Sequence, residues 1–161
     1  MHGLPVVDCL RRLGFMTASL VYVLNGPNLN RLGSREPEIY GSQTLENVAD
    51  LVSREADSLG LVVDFRQTND EAELIGWIHE AVDRGADVVI NPAAFTHYSY
   101  AVRDACALVT TSGAKLVEIH LSNPATREEF RHTSVIAGVA TGTIAGFGSA
   151  SYLLALHALT G

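Results

Sequence analysis

The sequence predicts an α/β domain built on a doubly wound parallel sheet. Three observations carry this expectation. Short apolar runs occur without polar alternation, as strands covered on both faces require; amphipathic helical stripes lie between them; and strand and helix keep alternating from residue 20 onward. At 161 residues, with 47% hydrophobic and 18% charged, the chain has the size and composition of one globular domain. Such a domain buries roughly 70% of its unfolded surface.

The first strand is Leu20-Val21-Tyr22-Val23-Leu24, ending at the dense turn signal Asn25-Gly26-Pro27-Asn28. Leu45, Val48, Val52, Ala56 and Leu59 then fall on one helical stripe, with Thr44 as N-cap and Gly60 as stop. Leu61-Val62-Val63-Asp64-Phe65 is the second strand. A second helix carries Leu74, Ile75, Ile78 and Val82, entered through Asn69 with three acids in its first turn and closed at Gly85. Asp87-Val88-Val89-Ile90 forms the third strand, and residues 99–110 the helix after it. The fourth strand is Leu116-Val117-Glu118-Ile119. Thr126-x-x-Glu129 reads as a capping box for a short helix. Gly142-Thr143-Ile144-Ala145 supplies a small-residue fifth strand, and residues 149–159, rich in Leu and Ala, the last helix. Right-handed crossovers turn this order into a doubly wound sheet.

Residues 1–15 fit none of these patterns. Arg11-Arg12 precedes only a short apolar stretch and no small-residue cleavage site, unlike a secretory signal. Met16 is the expected start of the domain, which then spans 16–161, with 1–15 an extension outside the fold.

Composition excludes several function classes. A net charge of −7 argues against nucleic acid, whose binding is led by Lys and Arg neutralising phosphates. Cys9 and Cys106 match no metal, redox or disulfide-scaffold spacing. No apolar run reaches the ~18 residues of a membrane span. No acidic cluster or Cys/His set at ligand spacing points to a metal. The expectation is a cytoplasmic domain that uses neither metal nor cofactor. Lys115 is the chain's single lysine; it opens a strand, at the opposite end from the place where such sheets bind ligands.

Ligands of doubly wound sheets bind beyond the carboxyl ends of the strands. That rim carries Asn25, Asn28, Arg31, Arg35 and Tyr40 after strand one, Asn91 and His97 after strand three, and His120, Ser122, Asn123, Arg127 and Arg131 after strand four. Asn reads hydroxyls and water, and Arg reads carboxylates. The set suits an oxygen-rich, uncharged or anionic ligand and acid-base chemistry. Glu118 and His120 are two apart on a strand, so their side chains face the same side. A carboxylate there either orients a catalytic imidazole or forms a self-satisfied core pair. His97 stands at a helix start, placed to touch a ligand or to cap. His79, His132 and His157 read as surface or packing residues, and Tyr98, Tyr100 and Tyr152 as helix-face aromatics. Residues 33–41, bracketed by Gly33 and Gly41, are charged and aperiodic: a lid, or an exposed loop without catalytic duty.

The stretch Leu24-Asn25-Gly26-Pro27-Asn28-Leu29-Asn30-Arg31-Leu32-Gly33-Ser34-Arg35-Glu36-Pro37-Glu38-Ile39-Tyr40-Gly41 resembles the signature of the type II 3-dehydroquinate dehydratases. Asn91-Pro92-Ala93-Ala94-Phe95-Thr96-His97-Tyr98-Ser99, Glu118-Ile119-His120-Leu121-Ser122-Asn123 and Arg127-Glu128-Glu129-Phe130-Arg131 resemble that family's following motifs. The likeness runs from about Leu20 to the C-terminus; Ala93 and Ala94 stand where the family frequently has glycine. The resemblance implies a flavodoxin-like fold and a homododecamer, a tetramer of trimers. It also implies dehydration of 3-dehydroquinate to 3-dehydroshikimate through an enolate, in the shikimate pathway of aromatic amino acid biosynthesis. It makes Tyr40 the base at C2, Arg35 the stabiliser of its phenolate and Asn28 the holder of a water against the enolate oxygen. His120, oriented by Glu118, becomes the acid for the departing hydroxyl. Asn91, His97, Leu121, Ser122 and Arg131 become the substrate grip, with Asp104 reaching a neighbouring subunit's site.

Two other readings share the fold. A flavin-binding carrier needs a Ser/Thr- and Gly-rich phosphate loop after strand one, where this chain has Pro27 and Leu29. A phospho-receiver module needs an acid where strands one and three end, and the chain has Asn25 and Asn91 there.

Overall fold

The computed structural model describes residues 18–34 and 36–161, and of Tyr40 the backbone. The boundary expected at residues 15/16 and the side chains of Arg35 and Tyr40 lie outside the described residues. Five strands, β1 (Ser19–Asn25), β2 (Leu61–Gln67), β3 (Asp87–Asn91), β4 (Leu116–His120) and β5 (Gly142–Ala145), form one sheet in the order β2-β1-β3-β4-β5. Every pairing is parallel. This is the doubly wound, flavodoxin-like order, and its switch point lies between β1 and β3.

The strand period of two sends alternate β1 residues to opposite faces. Val21 and Val23 pack with Val48, Val52 and Ala56 of α2 (Leu45–Ser58) and with Tyr152, Ala155 and Leu156 of α5 (Ala150–Thr160). Tyr22 and Leu24 pack with Leu74 and Ile78 of α3 (Glu71–Asp83) and with Val102, Cys106 and Val109 of α4 (Tyr100–Thr111). Both faces are covered, which is why the strand sequences show no polar alternation.

The five expected strands and four longer helices all form, with local differences. Thr44 caps α2 as expected, and its capping box is closed by Asn47, whose side chain accepts from the Thr44 N–H at 3.0 Å. α3 is capped by Asp70 rather than Asn69: the Asp70 carboxylate accepts from Glu73 N at 2.9 Å. Asn69 instead accepts from Asn28 N at 2.9 Å and so clamps the β1 loop. The helix expected from Thr126 is replaced by two single 3₁₀ turns, Pro124–Thr126 and Glu129–Arg131. Asn123 caps the first of them, accepting from Ala125 N at 3.1 Å, and the Thr126 hydroxyl donates back to Asn123 O at 2.9 Å. The Thr126 side chain is thus turned back onto the preceding turn, and Arg127 is extended at φ −109°, so no helix continues.

At the switch point Asn25 and Asn91 are registered partners at the ends of β1 and β3. Gly26 N donates to Asn91 O at 2.8 Å, and a Cβ on residue 26 would stand 2.5 Å from Pro92 O. Glycine is therefore required where the two loops cross. At the other end of the sheet Lys115 donates its ammonium protons to Leu159 O (3.4 Å) and Gly161 O (3.1 Å), closing the end of α5. The lysine is tied up a full strand length from the switch point.

Candidate active site

A cleft of about 700 Å³, counting its open mouth, lies at the carboxyl ends of the strands. The β1 loop contributes Pro27, Asn28, Leu29 and Leu32 to its walls, and the β3 loop Asn91, Ala93, Ala94 and His97. The segment after β4 adds His120, Leu121, Ser122, Pro124, Arg127 and Arg131. Glycine-rich phosphate-cradling backbone is absent from this lining; apolar walls with a few convergent polar groups make it a small-molecule site.

Glu118 is fully buried behind His120. His120 Nε2 meets Glu118 Oε1 at 2.7 Å. The carboxylate only accepts, so Nε2 carries the proton in that bond and Nδ1 is the ring nitrogen left for a ligand. Thr96 donates its hydroxyl proton to the same carboxylate oxygen, and Ser134 Oγ lies 2.9 Å from each of the two Glu118 carboxylate oxygens. Ser134 in turn accepts from Ile136 N (3.1 Å) and Ala137 N (2.9 Å), so its own proton is free for Glu118. Burial is the largest single influence on Glu118 and opposes its charge. The hydrogen bonds from His120, Thr96 and Ser134 and the attraction of His120 together outweigh it, and hold the carboxyl below the ordinary glutamate value. A buried anion with its donors in place is well suited to stabilise an imidazolium.

His97 is fixed in the complementary sense. Its Nδ1 lies 2.9 Å from Thr133 O, and since a carbonyl only accepts, Nδ1 donates and Nε2 is left as the ring's acceptor. Phe130 stands edge-on to its ring, centroids 5.8 Å apart. Asn28 is in the left-handed region at φ 68°, a conformation Asn tolerates better than most residues and which Asn69 secures. Ala93 is also left-handed, at φ 50°. Alanine there costs about 1 kcal/mol against glycine.

Arg127 and Arg131 bring positive charge to the mouth. Arg131 Nε donates to Glu128 at 2.6 Å, and its guanidinium lies 4.7 Å over the Phe130 ring. Arg127 reaches Ser122 Oγ at 3.4 Å and stands 4.0 Å from Glu36 in the 33–41 segment. That segment contains the short helix α1 (Pro37–Tyr40), and Glu38 and Ile39 border an outer basin shared with Ser122 and Arg127.

The structure therefore gathers Asn28, Asn91, His97, His120, Leu121, Ser122 and Arg131 around one cleft, with Glu118 directly behind. Asp104 is not brought in: it is exposed on α4 and paired with Arg103 at 3.0 Å. Asn25, placed on the rim by its position in the sequence, is buried instead. Tyr152 is fully buried too, rather than a plain helix-face aromatic, whereas Tyr98 and Tyr100 are exposed. His79 and His157 are on the surface as expected, and so is His132. Thr96, Ser134 and Asn69 hold site residues in place; Thr96 and Ser134 were given no role from the sequence, and Asn69 only that of a helix cap. Among the described residues no cluster of three or more His, Cys, Asp and Glu could hold a metal ion, and no helix is long and apolar enough to cross a membrane.

The family model described as dehydroquinase class II matches residues 19–160. The chain belongs to this family. A 3-dehydroquinate dehydratase of Salinispora tropica is 60% identical over 139 residues, covering 86% of this chain and 95% of the relative. The 3-dehydroquinate dehydratase 2 of Pseudomonas aeruginosa is 56% identical over 137 residues, covering 85% and 90%. The crystal structure of the type II dehydroquinase from Propionibacterium acnes superposes with a TM-score of 0.86 at 49% identity, covering 89% of this chain and 97% of that one. For a class II dehydroquinase the cleft lies at the expected switch point, and every motif quoted above falls within the matched span.

Proposed function

We infer that the chain is a hydro-lyase that dehydrates 3-dehydroquinate to 3-dehydroshikimate, the shikimate-pathway reaction on the way to aromatic amino acids. The observation that carries this reading is the buried Glu118–His120 pair opening onto a cleft lined by Asn28, Asn91, His97, Ser122 and Arg131. It occurs in a chain of the dehydroquinase family whose curated relatives are named for this reaction. The substrate is a small ring with a carboxylate, a ketone and hydroxyls, and the amides, imidazoles and guanidinium of the cleft suit each of these groups.

In the proposed sequence Tyr40, as phenolate beside Arg35, takes the proton from C2. The C–H electron pair moves into the ring and onto the ketone oxygen, giving an enolate against which Asn28 holds a water. The enolate reforms the ketone, the C1–C2 double bond forms, and the C1–O bond breaks. His120 gives its proton to the departing hydroxyl, which leaves as water. Tyr40 ends with one proton more and His120 with one fewer, and exchange with solvent resets both. Asn91, His97, Leu121, Ser122 and Arg131 grip the ring hydroxyls and the carboxylate. Residues 33–41 act as the lid that carries Arg35 and Tyr40.

The deciding assay is absorbance during incubation with 3-dehydroquinate. The conjugated enone product absorbs in the ultraviolet and the substrate does not, so a rise at catalytic enzyme concentration is expected. A flat trace from folded protein would overturn the reading. Nothing in the cleft favours the flavin or phospho-receiver alternatives.

The same reading makes the enzyme a cytoplasmic homododecamer, a tetramer of trimers in which Asp104 reaches a neighbour's cleft. Tyr98, Tyr100 and Phe130 support it: all three are exposed aromatics, and Phe130 stands against the ring of His97, which lines the cleft. Sedimentation is expected to show a species near twelve chains; a clean monomer with full activity would reject both the assembly and the role of Asp104.

A further inference from the structure

Tyr152 and Asn25 do not line the cleft, yet a hydrogen-bonded chain runs through both of them into it. Asn25 Nδ2 donates to Arg66 O at 2.9 Å, and Tyr152 OH donates to Asn25 Oδ1 at 2.6 Å. Asn91 Nδ2 donates to Tyr152 OH at 3.1 Å, and Ala93 N donates to Asn91 Oδ1 at 3.3 Å. All three side chains are buried, Asn25 and Tyr152 at 0% exposure and Asn91 at 3%.

The chain can run in only one direction. The Arg66 carbonyl only accepts, so Asn25 must turn its NH₂ toward β2 and its oxygen toward Tyr152. That oxygen also only accepts, so the phenol proton goes to it, and the phenol offers Asn91 nothing but lone pairs. Asn91 must then turn its NH₂ to Tyr152 and its oxygen away. The Ala93 N–H, which only donates, demands the same orientation from the other side. Burial, only partly offset by the Asn91 bond, pushes the Tyr152 hydroxyl above the ordinary phenol value, so it remains a neutral donor. The anchor lies across the switch point, where Asn25 and Asn91 are registered partners.

We propose that Tyr152 and Asn25 are positioning residues for the substrate: together they dictate which end of the Asn91 amide faces which way. Asn91 is left with one N–H and one oxygen lone pair for the ligand, a pattern that a hydroxyl, both donor and acceptor, satisfies. The proposal rests on Asn91 being part of the substrate grip. Without the phenol, Asn91 Nδ2 loses its buried acceptor. Without Asn25, the phenol proton is released toward Asn91 and opposes its NH₂. Either change leaves the amide without a dictated orientation while the Glu118–His120 pair is untouched.

The test is steady-state kinetics with 3-dehydroquinate on Tyr152→Phe, Asn25→Ala and Asn91→Ala, and on each of the first two combined with Asn91→Ala, with thermal melts alongside. Asn91→Ala is expected to raise KM roughly tenfold. Tyr152→Phe and Asn25→Ala should each raise it roughly five- to tenfold, the worth of one neutral hydrogen bond, with kcat changed far less. In the Asn91→Ala background both should leave KM where Asn91→Ala has put it. Lower melting temperatures with wild-type KM would reduce the two residues to core polar packing and overturn the proposal. KM increases that persist in the Asn91→Ala background would overturn it as well. A normal KM in Asn91→Ala would remove Asn91 from the substrate grip and the proposal with it, while leaving the dehydratase activity standing. Tyr152→Phe and Asn25→Ala break the chain at different points, so one of them suffices if the other fails to fold.

Discussion

His120→Ala is expected to lower kcat by at least 100-fold while the protein still folds and assembles. A hydroxide leaving group must be protonated as it departs, and a positioned acid contributes typically 10²–10⁴-fold. His120 is the titratable side chain of the cleft whose ring is oriented by a buried carboxylate, through the 2.7 Å Nε2–Oε1 contact. Glu118→Gln probes the same function one step back, with a smaller loss of roughly 10- to 100-fold. An amide has one oxygen where the carboxylate has two. If that oxygen takes the Oε1 place it still receives His120 Nε2–H and the Thr96 hydroxyl, but the NH₂ then faces Ser134, and the imidazolium has lost the full negative charge beside it. KM should move less than kcat in both variants, because the interaction matters when charge shifts. Near-normal turnover in His120→Ala would show that another group is the acid.

Different physics made different parts of this molecule legible. The sheet could be read because strands covered on both faces must be apolar throughout, and Val21-Tyr22-Val23-Leu24 feeds two cores at once. Glu118 and His120 could be paired because the strand period alone puts residues two apart on one side. Local competition was harder. Asn69 and Asp70 are both good caps, and only the need to hold Asn28 N assigns Asn69 elsewhere. Thr126 and Glu129 have capping-box spacing, but Asn123 and Pro124 start a tighter turn first.

The supports of the site were the least legible. Thr96 and Ser134 lie 22 and 16 residues from Glu118, and Tyr152 lies 127 from Asn25. No periodicity links such residues; only the completed fold brings them together. Their residue types are ordinary as well: Ser and Thr in loops read as turn formers, and Tyr152 lies in an apolar helix where an aromatic is unremarked. What could be read from sequence is what lines the cleft, gathered on one rim by the strand ends. What could not be read is what fixes those groups in place.

Arg35→Ala and Tyr40→Phe are each expected to cut turnover severely, with substrate binding changed far less and with strong non-additivity between them. The expectation rests on their proposed roles. A phenol has a pKa near 10, so only about one Tyr in a thousand is ionised at pH 7. A useful base must be brought nearer neutrality, and a shift of about three pH units corresponds to roughly 4 kcal/mol of preferential phenolate stabilisation. Loop flexibility cannot supply that, whereas a guanidinium held close in a water-poor site can. Arg35 and Tyr40 are five residues apart between Gly33 and Gly41, so one closing movement can deliver both. Gly33 and Gly41 have φ of 88° and 77°, backbone that favours glycine at each end of the segment. If the arginine acts through the tyrosine, removing it from an enzyme that already lacks the phenol should cost little more. The measurement is kcat and KM for both single variants and the double. Losses that simply multiply would mean that Arg35 serves another step, and Tyr40 would then need a different source of activation to remain the base.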